Sequence, residues 1–249
     1  MIGMGTIVNM GAIVAGTTIG MLIKGGLPVR FEKTVMAAIG LATFFIGITG
    51  AISGMIVVNT DGSMSTEHTM LMILSLVTGA AIGELIDIER RLGSLGEFCK
   101  RKFKVKAEKN QTFVEGFLTS SLLFCVGAMA IVGSLEDGLS GNATTLFAKS
   151  MMDGVAAVMF AASLGVGVYF SVLAVGIYQG AITLLAQYIR PYLSDALISQ
   201  MSFVGSILIF ALGINLCLGK KIKVGNLLPA VFMPIIFDML LKLYHSLGF

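Results

Sequence analysis

The chain has 249 residues, of which 56% are hydrophobic and only 12% are charged, and its mean hydropathy is +0.92. A water-soluble domain is about a quarter charged, so this composition excludes a soluble globular protein. The formal net charge is +3, but the basic residues stand beside apolar runs, which favours topology signals over a nucleic-acid surface.

Apolar runs of about 20 residues recur along the chain, and each is long enough to cross a hydrocarbon core of about 30 Å. They predict an all-α membrane protein with about eight transmembrane helices in a single polytopic domain, 1–249. The predicted spans are 3–23, 34–55, 69–88, 112–133, 151–169, 171–189, 201–218 and 224–242. No charged turn separates the fifth span from the sixth, and Gly165 and Gly167 mark the best break between them.

The distribution of basic residues predicts the orientation. If the N-terminus lies outside and every span crosses, fourteen of the 17 Lys and Arg residues fall in inside loops, and only Lys149, Arg190 and Lys242 fall outside. This bias agrees with the positive-inside rule and places both termini outside the cytoplasm. No Lys or Arg precedes the first apolar run, so we expect its helix to be retained rather than cleaved as a signal peptide.

The segment 89–110 is the one sizeable polar piece, and the spacing of Leu92, Leu95 and Phe98 predicts a short basic amphipathic helix against the inner leaflet. It either fixes the orientation of the chain or binds a partner or anionic lipid.

Two kinds of internal pattern bear on architecture. The segment AGTTIGMLI (15–23) resembles TGAAIGELI (78–86), and AIGLATFFIGI (38–48) resembles FVGSILIFALGI (203–214). These matches indicate inverted repeats of three helices, or chance similarity among apolar, glycine-rich segments. Glycines four residues apart predict close helix packing and a homo-oligomer. The pairs are Gly16 and Gly20, Gly50 and Gly54, Gly79 and Gly83, and Gly176 and Gly180.

Polar residues inside apolar spans indicate a binding site, because such groups need a partner or water. The fourth span combines hydroxyls, glycines and carboxylates, and a break near Gly127 to Gly133 would turn them inward. In the eighth span, Pro229 and Pro234 each remove a helical hydrogen bond. We therefore expect a site where these two spans approach, with help from the first and sixth. The predicted substrate-binding residues are Asn9, Glu115, Ser120, Ser121, Glu136, Asp137, Gln179, Asn226 and Asp238.

Signatures of enzymes are largely missing. There is no HExxH, no GxSxG elbow and no Walker A segment, and Cys99, Cys125 and Cys217 show no CxxC spacing. His68 and His245 fall at predicted outer edges of spans. We expect no enzyme activity, no cofactor and no metal.

Several segments carry a resemblance to a known family. They are GTIVNMGAIVAGTTIG, ILSLVTGAAIGELIDIERRL, FVEGFLTSSLLFCVGAMAIVGSLEDGLSG, YQGAITLLA and KVGNLLPA. With these, nearly the whole chain resembles the YqgA/YdfK family of bacterial inner-membrane proteins, whose function is unknown. The resemblance implies a bacterial plasma membrane location and a polytopic fold, and it supplies no substrate or catalytic residue.

The residues favour a secondary transporter or channel for an ion or small polar solute, because polar groups and interrupted helices converge in a bundle with no sizeable soluble domain. The alternative is a structural or regulatory membrane protein that binds a partner or anionic lipid through 89–110.

Overall fold

The computed structural model describes residues 1–24, 29–58, 61–91, 94, 110–125, 128–219 and 222–246. Most of these residues are helical, which confirms the all-α membrane class. The helices are α1 Met4–Lys24, α2 Val29–Met55, α3 Thr69–Ile86, α4 Asn110–Cys125, α5 Ala128–Ser140, α6 Thr144–Leu164, α7 Ser171–Leu184, α8 Ala186–Ile189, α9 Asp195–Leu218, α10 Val224–Leu227 and α11 Met233–Ser246. Short 3-10 turns are formed by Gly165–Phe170, Arg190–Tyr192 and Leu228–Phe232.

In the described ranges, five helical segments are long and apolar enough to cross a membrane, and a sixth span is added if one bent pair is counted together. The bent pair joins Thr112–Cys125 to Met129–Ser140 at 60°, close to the break predicted in the fourth span. The residue at its centre, Gly127, lies outside the described residues. Length and composition therefore support five or six spans, and the number eight stays a prediction.

The longest of these segments, Thr144–Leu184 with 41 residues, reverses direction in the middle. Asp153 on α6 and Gln179 on α7 both accept a hydrogen bond from the amide of Asn9. In a straight helix two residues 26 positions apart would be separated by about 39 Å, so α6 and α7 form a hairpin. The turn is Gly165–Phe170, where Gly165 has φ 78. It lies at the predicted break.

Glycine faces set the helix pairs of the bundle. A Cβ added at Gly16 would lie 2.2 Å from the carbonyl oxygen of Gly154, and one added at Gly5 would meet Leu146. These contacts align α1 parallel to α6, because both pairs advance along the two helices in the same direction. Close approach of this kind is what glycine permits in membrane helices.

Two further pairs are antiparallel. On α2, Gly40 contacts Cys217 and Gly54 contacts Phe203, so α2 and α9 run in opposite directions. On α3, Gly79 and Gly83 contact Ala230 and Asn226 in the segment from α10 to α11. The similar segments 15–23 and 78–86 thus both use paired glycines for helix contacts. This shared packing role explains the similarity of their sequences. Whether the chain contains inverted repeats stays a prediction.

One predicted glycine pair has only one of its two members in a helix contact within the described structure. Gly176 contacts the side chain of Met10, but a Cβ added at Gly180 would meet nothing within 4 Å in the described structure. Gly180 is therefore not part of a helix contact within the described part of the chain.

The bundle has two ends, which we name by a residue at each. The Asp137 end holds the start of α1, the end of α2, the start of α3, the end of α5 and the start of α6. The Glu84 end holds the opposite ends of α1, α2, α3 and α6, whereas α5 begins at its bend with α4. Between α2 and α3, at the Asp137 end, strands β1 Ile56–Val58 and β2 Met64–Thr66 form an antiparallel hairpin.

The hairpin tests the predicted orientation. Asp61 lies in its exposed turn, so a cysteine at this position, in a protein without native cysteines, should react with a membrane-impermeant maleimide added outside the cell. A cysteine at Lys104, in the basic loop outside the described residues, should react only after permeabilisation. Labelling of the Lys104 position in sealed cells would contradict the orientation.

The fourth and fifth spans differ from their predicted bounds. The fourth was predicted to end at 133, before Glu136 and Asp137, but α5 continues to Ser140. The fifth was predicted to begin at 151, but α6 begins at Thr144 and includes Lys149. A prediction from hydropathy alone ends a span at the first charged residue. Here Asp137 and Lys149 have partners inside the bundle, so the helices continue through them.

Candidate functional site

A buried ion pair and two buried amides meet where α1, α6 and α7 pack together. The four residues are Asn9, Lys149, Asp153 and Gln179, which we call the central cluster. Asn9 and Gln179 are 0% exposed, Lys149 is 6% exposed and Asp153 is 7% exposed. Each of these polar residues lies on the buried face of its helix. Buried apolar residues four positions away share that face, namely Ile13 on α1, Ala157 on α6 and Val175 on α7.

Asn9 is the centre of the hydrogen-bond network. Its Nδ2 donates to Asp153 Oδ2 at 2.9 Å and to Gln179 Oε1 at 3.2 Å. The ammonium of Lys149, one turn before Asp153 on α6, forms a salt bridge with the same Asp153 oxygen. Two atoms of the cluster, Asn9 Oδ1 and Gln179 Nε2, are buried and have no hydrogen-bond partner among the described residues. The cluster therefore offers one free acceptor and one free donor.

A buried ion pair adds little net stability to a fold, because desolvation of both charges offsets most of their attraction. A hydrophobic pair of similar volume would often be as stable. Ionisable residues inside membrane helices therefore indicate a functional site. With one ammonium and one carboxylate, the pair contributes no net charge, so a cation at Asp153 would have to compete with Lys149.

The predicted site residues Glu136 and Asp137 lie together at the Asp137 end of the bundle. Asp137 is 0% exposed and accepts hydrogen bonds from the backbone N–H groups of Gly3 at 3.1 Å and Gly5 at 3.0 Å. These N–H groups begin α1, where the helix dipole favours a carboxylate. Glu136 accepts from the hydroxyl of Thr145 at 2.7 Å. Both residues thus contact α1 or α6.

Asn226 lies at the opposite end of the bundle. Its Nδ2 donates to Glu84 Oε2 at 2.6 Å, and its Oδ1 accepts from the N–H of Glu89 at 2.7 Å. Lys223 donates to the other Glu84 oxygen at 2.6 Å, and this hydrogen bond, together with the attraction of the carboxylates of Glu84, Asp87 and Glu89, raises the pKa of Lys223. The group joins α3 to α10 and is separate from the central cluster.

The remaining predicted residues lie elsewhere. Ser120 donates to the carbonyl of Gly116 within α4, and the hydroxyl of Ser121 is buried without a partner in the described structure. Glu115 is half-buried in the second turn of α4. Asp238 pairs with Lys242 one turn later on α11, at 2.7 Å.

The structure therefore does not bring the nine predicted residues into one site between the fourth and eighth spans. It brings Asn9 and Gln179 together, through α1, α6 and α7 rather than α4 and α11. The prediction placed Lys149 in an outside loop and left Asp153 out of the site. Their spacing of four residues, which puts opposite charges on one helix face, was the available signal.

A separate cavity of about 460 Å³ lies beside α2 and α9 toward the Asp137 end. Its lining includes Ser53, Ser199, Ser202 and Ser206, together with Asp195. Asp195 is exposed and pairs with Arg190 at 3.1 Å. Most of the cavity surface is apolar, and none of its serine hydroxyls is a buried group without a partner among the described residues.

Most of the predicted basic segment 89–110 lies outside the described residues, so its helix and its contacts stay a prediction. Within the described ranges, no group of three or more His, Cys, Asp or Glu side chains is arranged to hold a metal ion.

Comparison with known proteins identifies the family. Residues 4–239 match the family model described as a protein of unknown function, DUF554. The chain is 31% identical over 244 residues to the "Uncharacterized membrane protein YdfK" of Bacillus subtilis (strain 168), covering 98% of each chain. It is 28% identical over 231 residues to the "Uncharacterized protein YqgA" of Escherichia coli (strain K12), covering 92% of this chain and 93% of that protein. No solved structure matches the chain. The resemblance seen in the sequence is thus confirmed, and the chain belongs to the DUF554 family of membrane proteins of unknown function.

Proposed function

We propose that this membrane protein is a secondary transporter or channel for an ion or small polar solute, and that the central cluster lies on its route. One observation carries the proposal: Lys149, Asp153, Asn9 and Gln179 are buried among apolar helices, and two of their polar atoms have no partner among the described residues. Helix packing does not require this arrangement, because the glycine faces already supply close contacts.

The interrupted helix next to the cluster supports the same function. The chain bends by 60° between α4 and α5, and α5 packs against both α6 and α7, whose residues form the cluster. Interrupted membrane helices free backbone groups, which are tolerated where they line a cavity or a substrate path. The sequence contains no Walker A segment, so we propose that any active transport uses an ion gradient or a partner chain, and we propose no enzymatic activity.

We also propose that the protein lies in the bacterial plasma membrane with the Asp137 end and both termini outside the cytoplasm. The distribution of Lys and Arg supports this orientation. The Glu84 end, with Lys223 and the start of the basic segment after Glu89, would then face the cytoplasm.

The test is flux into liposomes that contain the purified protein, with H⁺, Na⁺, K⁺ and radiolabelled amino acids as probes. For any probe that is carried, Gln179→Leu should lower the initial flux by about tenfold, the factor for about 1.4 kcal/mol of lost interaction. Ile177→Leu is the matched control, because Ile177 is 73% exposed on the same helix and lies outside the central cluster. Absence of flux for every probe, with folded wild-type protein, would contradict the proposal.

A further inference from the structure

Three buried hydroxyl groups lie near the central cluster on three different helices. Thr6 on α1 is 5% exposed, Ser134 on α5 is 0% exposed and Thr183 on α7 is 3% exposed. No described residue forms a hydrogen bond with any of their hydroxyl oxygens. Buried hydroxyls in proteins normally have a partner, which is protein, ordered water or a ligand.

Helix geometry places the three residues at one level. Thr6 is three residues from Asn9 on α1, or about 4.5 Å along the axis, and Thr183 is four residues from Gln179 on α7, or about 6 Å. Both steps lead from the central cluster toward the Asp137 end. Residues three or four apart share a helix face, so each hydroxyl residue faces the same way as its partner in the cluster.

Ser134 completes this level from α5. It precedes Asp137 by three residues and Gly138 by four, so it shares their helix face. Asp137 bonds the N–H groups of Gly3 and Gly5 on α1, and a Cβ at Gly138 would lie 2.2 Å from the carbonyl oxygen of Thr183. Ser134 is therefore turned toward the space between α1 and α7, one turn nearer the cluster than Asp137.

The chemistry of this row favours a cation. Its members from the Asp137 end inward are a carboxylate, three hydroxyls, the free Asn9 Oδ1 and the Asp153 carboxylate. The Lys149 ammonium, one turn nearer the Asp137 end on α6, is the one cation among the described residues of this row, and it is paired with Asp153. Oxygen atoms of this kind replace the hydration shell of a small cation. Asp137 and Glu136 stand at the outer part of the row, and acidic groups at the mouth of a low-dielectric path raise the local concentration of cations.

We propose that Thr6, Ser134 and Thr183 line a hydrated path by which a small monovalent cation reaches Asp153 from the Asp137 end. The inference rests on the proposed function and adds to it the route, the side of access and the charge of the ion. At Asp153 the cation competes with the Lys149 ammonium for the carboxylate oxygens.

Thiol modification tests the path directly. In full-length protein with Cys99, Cys125 and Cys217 replaced by serine, Thr6→Cys, Ser134→Cys and Thr183→Cys are treated from the Asp137 side with two methanethiosulfonates, one bearing trimethylammonium and one bearing sulfonate. We expect the cationic reagent to react faster by about tenfold or more, since acidic groups concentrate cations. The controls are Ile7→Cys and Ile177→Cys, which are 63% and 73% exposed. We expect these faces to contact lipid in the bilayer, so both cysteines should react slowly with both reagents.

The outcomes separate this inference from the proposed function. Flux by the wild type without modification at any of the three positions would overturn the path and leave transport intact. Equal rates for the two reagents would overturn the cation selectivity, and faster reaction from the Glu84 side would overturn the direction.

A second set of variants tests the path if the cysteine replacements prevent the protein from folding. Thr183→Val keeps the side-chain shape and removes the hydroxyl, and it should lower flux of the carried cation severalfold. Thr78→Val is the control, because the Thr78 hydroxyl bonds the carbonyl of Leu74 in its own helix. Equal flux in both valine variants would overturn the proposal.

Discussion

Replacing Lys149 by methionine is expected to destabilise the protein by about 3–5 kcal/mol, because the change leaves the Asp153 carboxylate buried without its ammonium partner. The effect should appear as a lower unfolding midpoint in detergent and as lower expression. Lys242→Met is a matched control, since Lys242 and Asp238 have the same spacing of four residues but side chains that are 70% and 37% exposed. An exposed pair contributes about 0–1 kcal/mol.

A double replacement separates stability from function. Lys149→Met with Asp153→Leu removes both charges and fills the space with apolar atoms, so most of the lost stability should return. Flux should not return, because the carboxylate that attracts the ion is gone. A double variant that is both stable and fully active would show that the ion pair serves folding alone.

The positions of the helices follow from the sequence because the membrane imposes one simple rule on length and polarity. Most of the predicted bounds lie within a few residues of the observed helices, as for 3–23 against Met4–Lys24 and 69–88 against Thr69–Ile86. The break at Gly165 and Gly167 was also predictable, because no other glycines interrupt that apolar stretch as closely. The errors occur where a charged residue is inside a helix, since hydropathy alone does not reveal an internal partner.

The site was less predictable, because it depends on which helix faces meet. Asn9 and Gln179 were predicted as site residues because an amide in an apolar run needs a partner wherever the helix packs, and the structure joins them by a hydrogen bond. That this partner is Asp153 follows only from the parallel packing of α1 with α6 and the reversal between α6 and α7. The reversal was predicted from Gly165 and Gly167, but no local pattern encodes the packing of α1 against α6. Asp238 and Asn226 were placed in the site for the same local reasons, but their partners are Lys242 and Glu84.

Replacing a glycine in a helix contact by alanine is expected to cause the second large loss of stability. A Cβ at Gly47 on α2 would lie 2.2 Å from the backbone nitrogen of Phe210 on α9, and one at Gly83 on α3 would lie 1.9 Å from the carbonyl oxygen of Asn226. Backbone atoms on both sides leave no flexible group to move, so each helix pair must separate. We expect Gly47→Ala and Gly83→Ala each to cost about 1–3 kcal/mol or more, measured as a fall in the unfolding midpoint.

The controls for these variants are glycines that face open space. A Cβ at Gly11 or Gly180 meets nothing within 4 Å in the described structure, and alanine is the better helix former by about 1 kcal/mol. Gly11→Ala and Gly180→Ala should therefore leave the unfolding midpoint unchanged or raise it. Because all four replacements add the same methyl group to a helix, a difference in sign between the two sets isolates helix contact from helix propensity. If Gly180→Ala destabilises the purified protein as much as Gly83→Ala, then Gly180 lies in a contact outside the described chain, as the predicted homo-oligomer would provide.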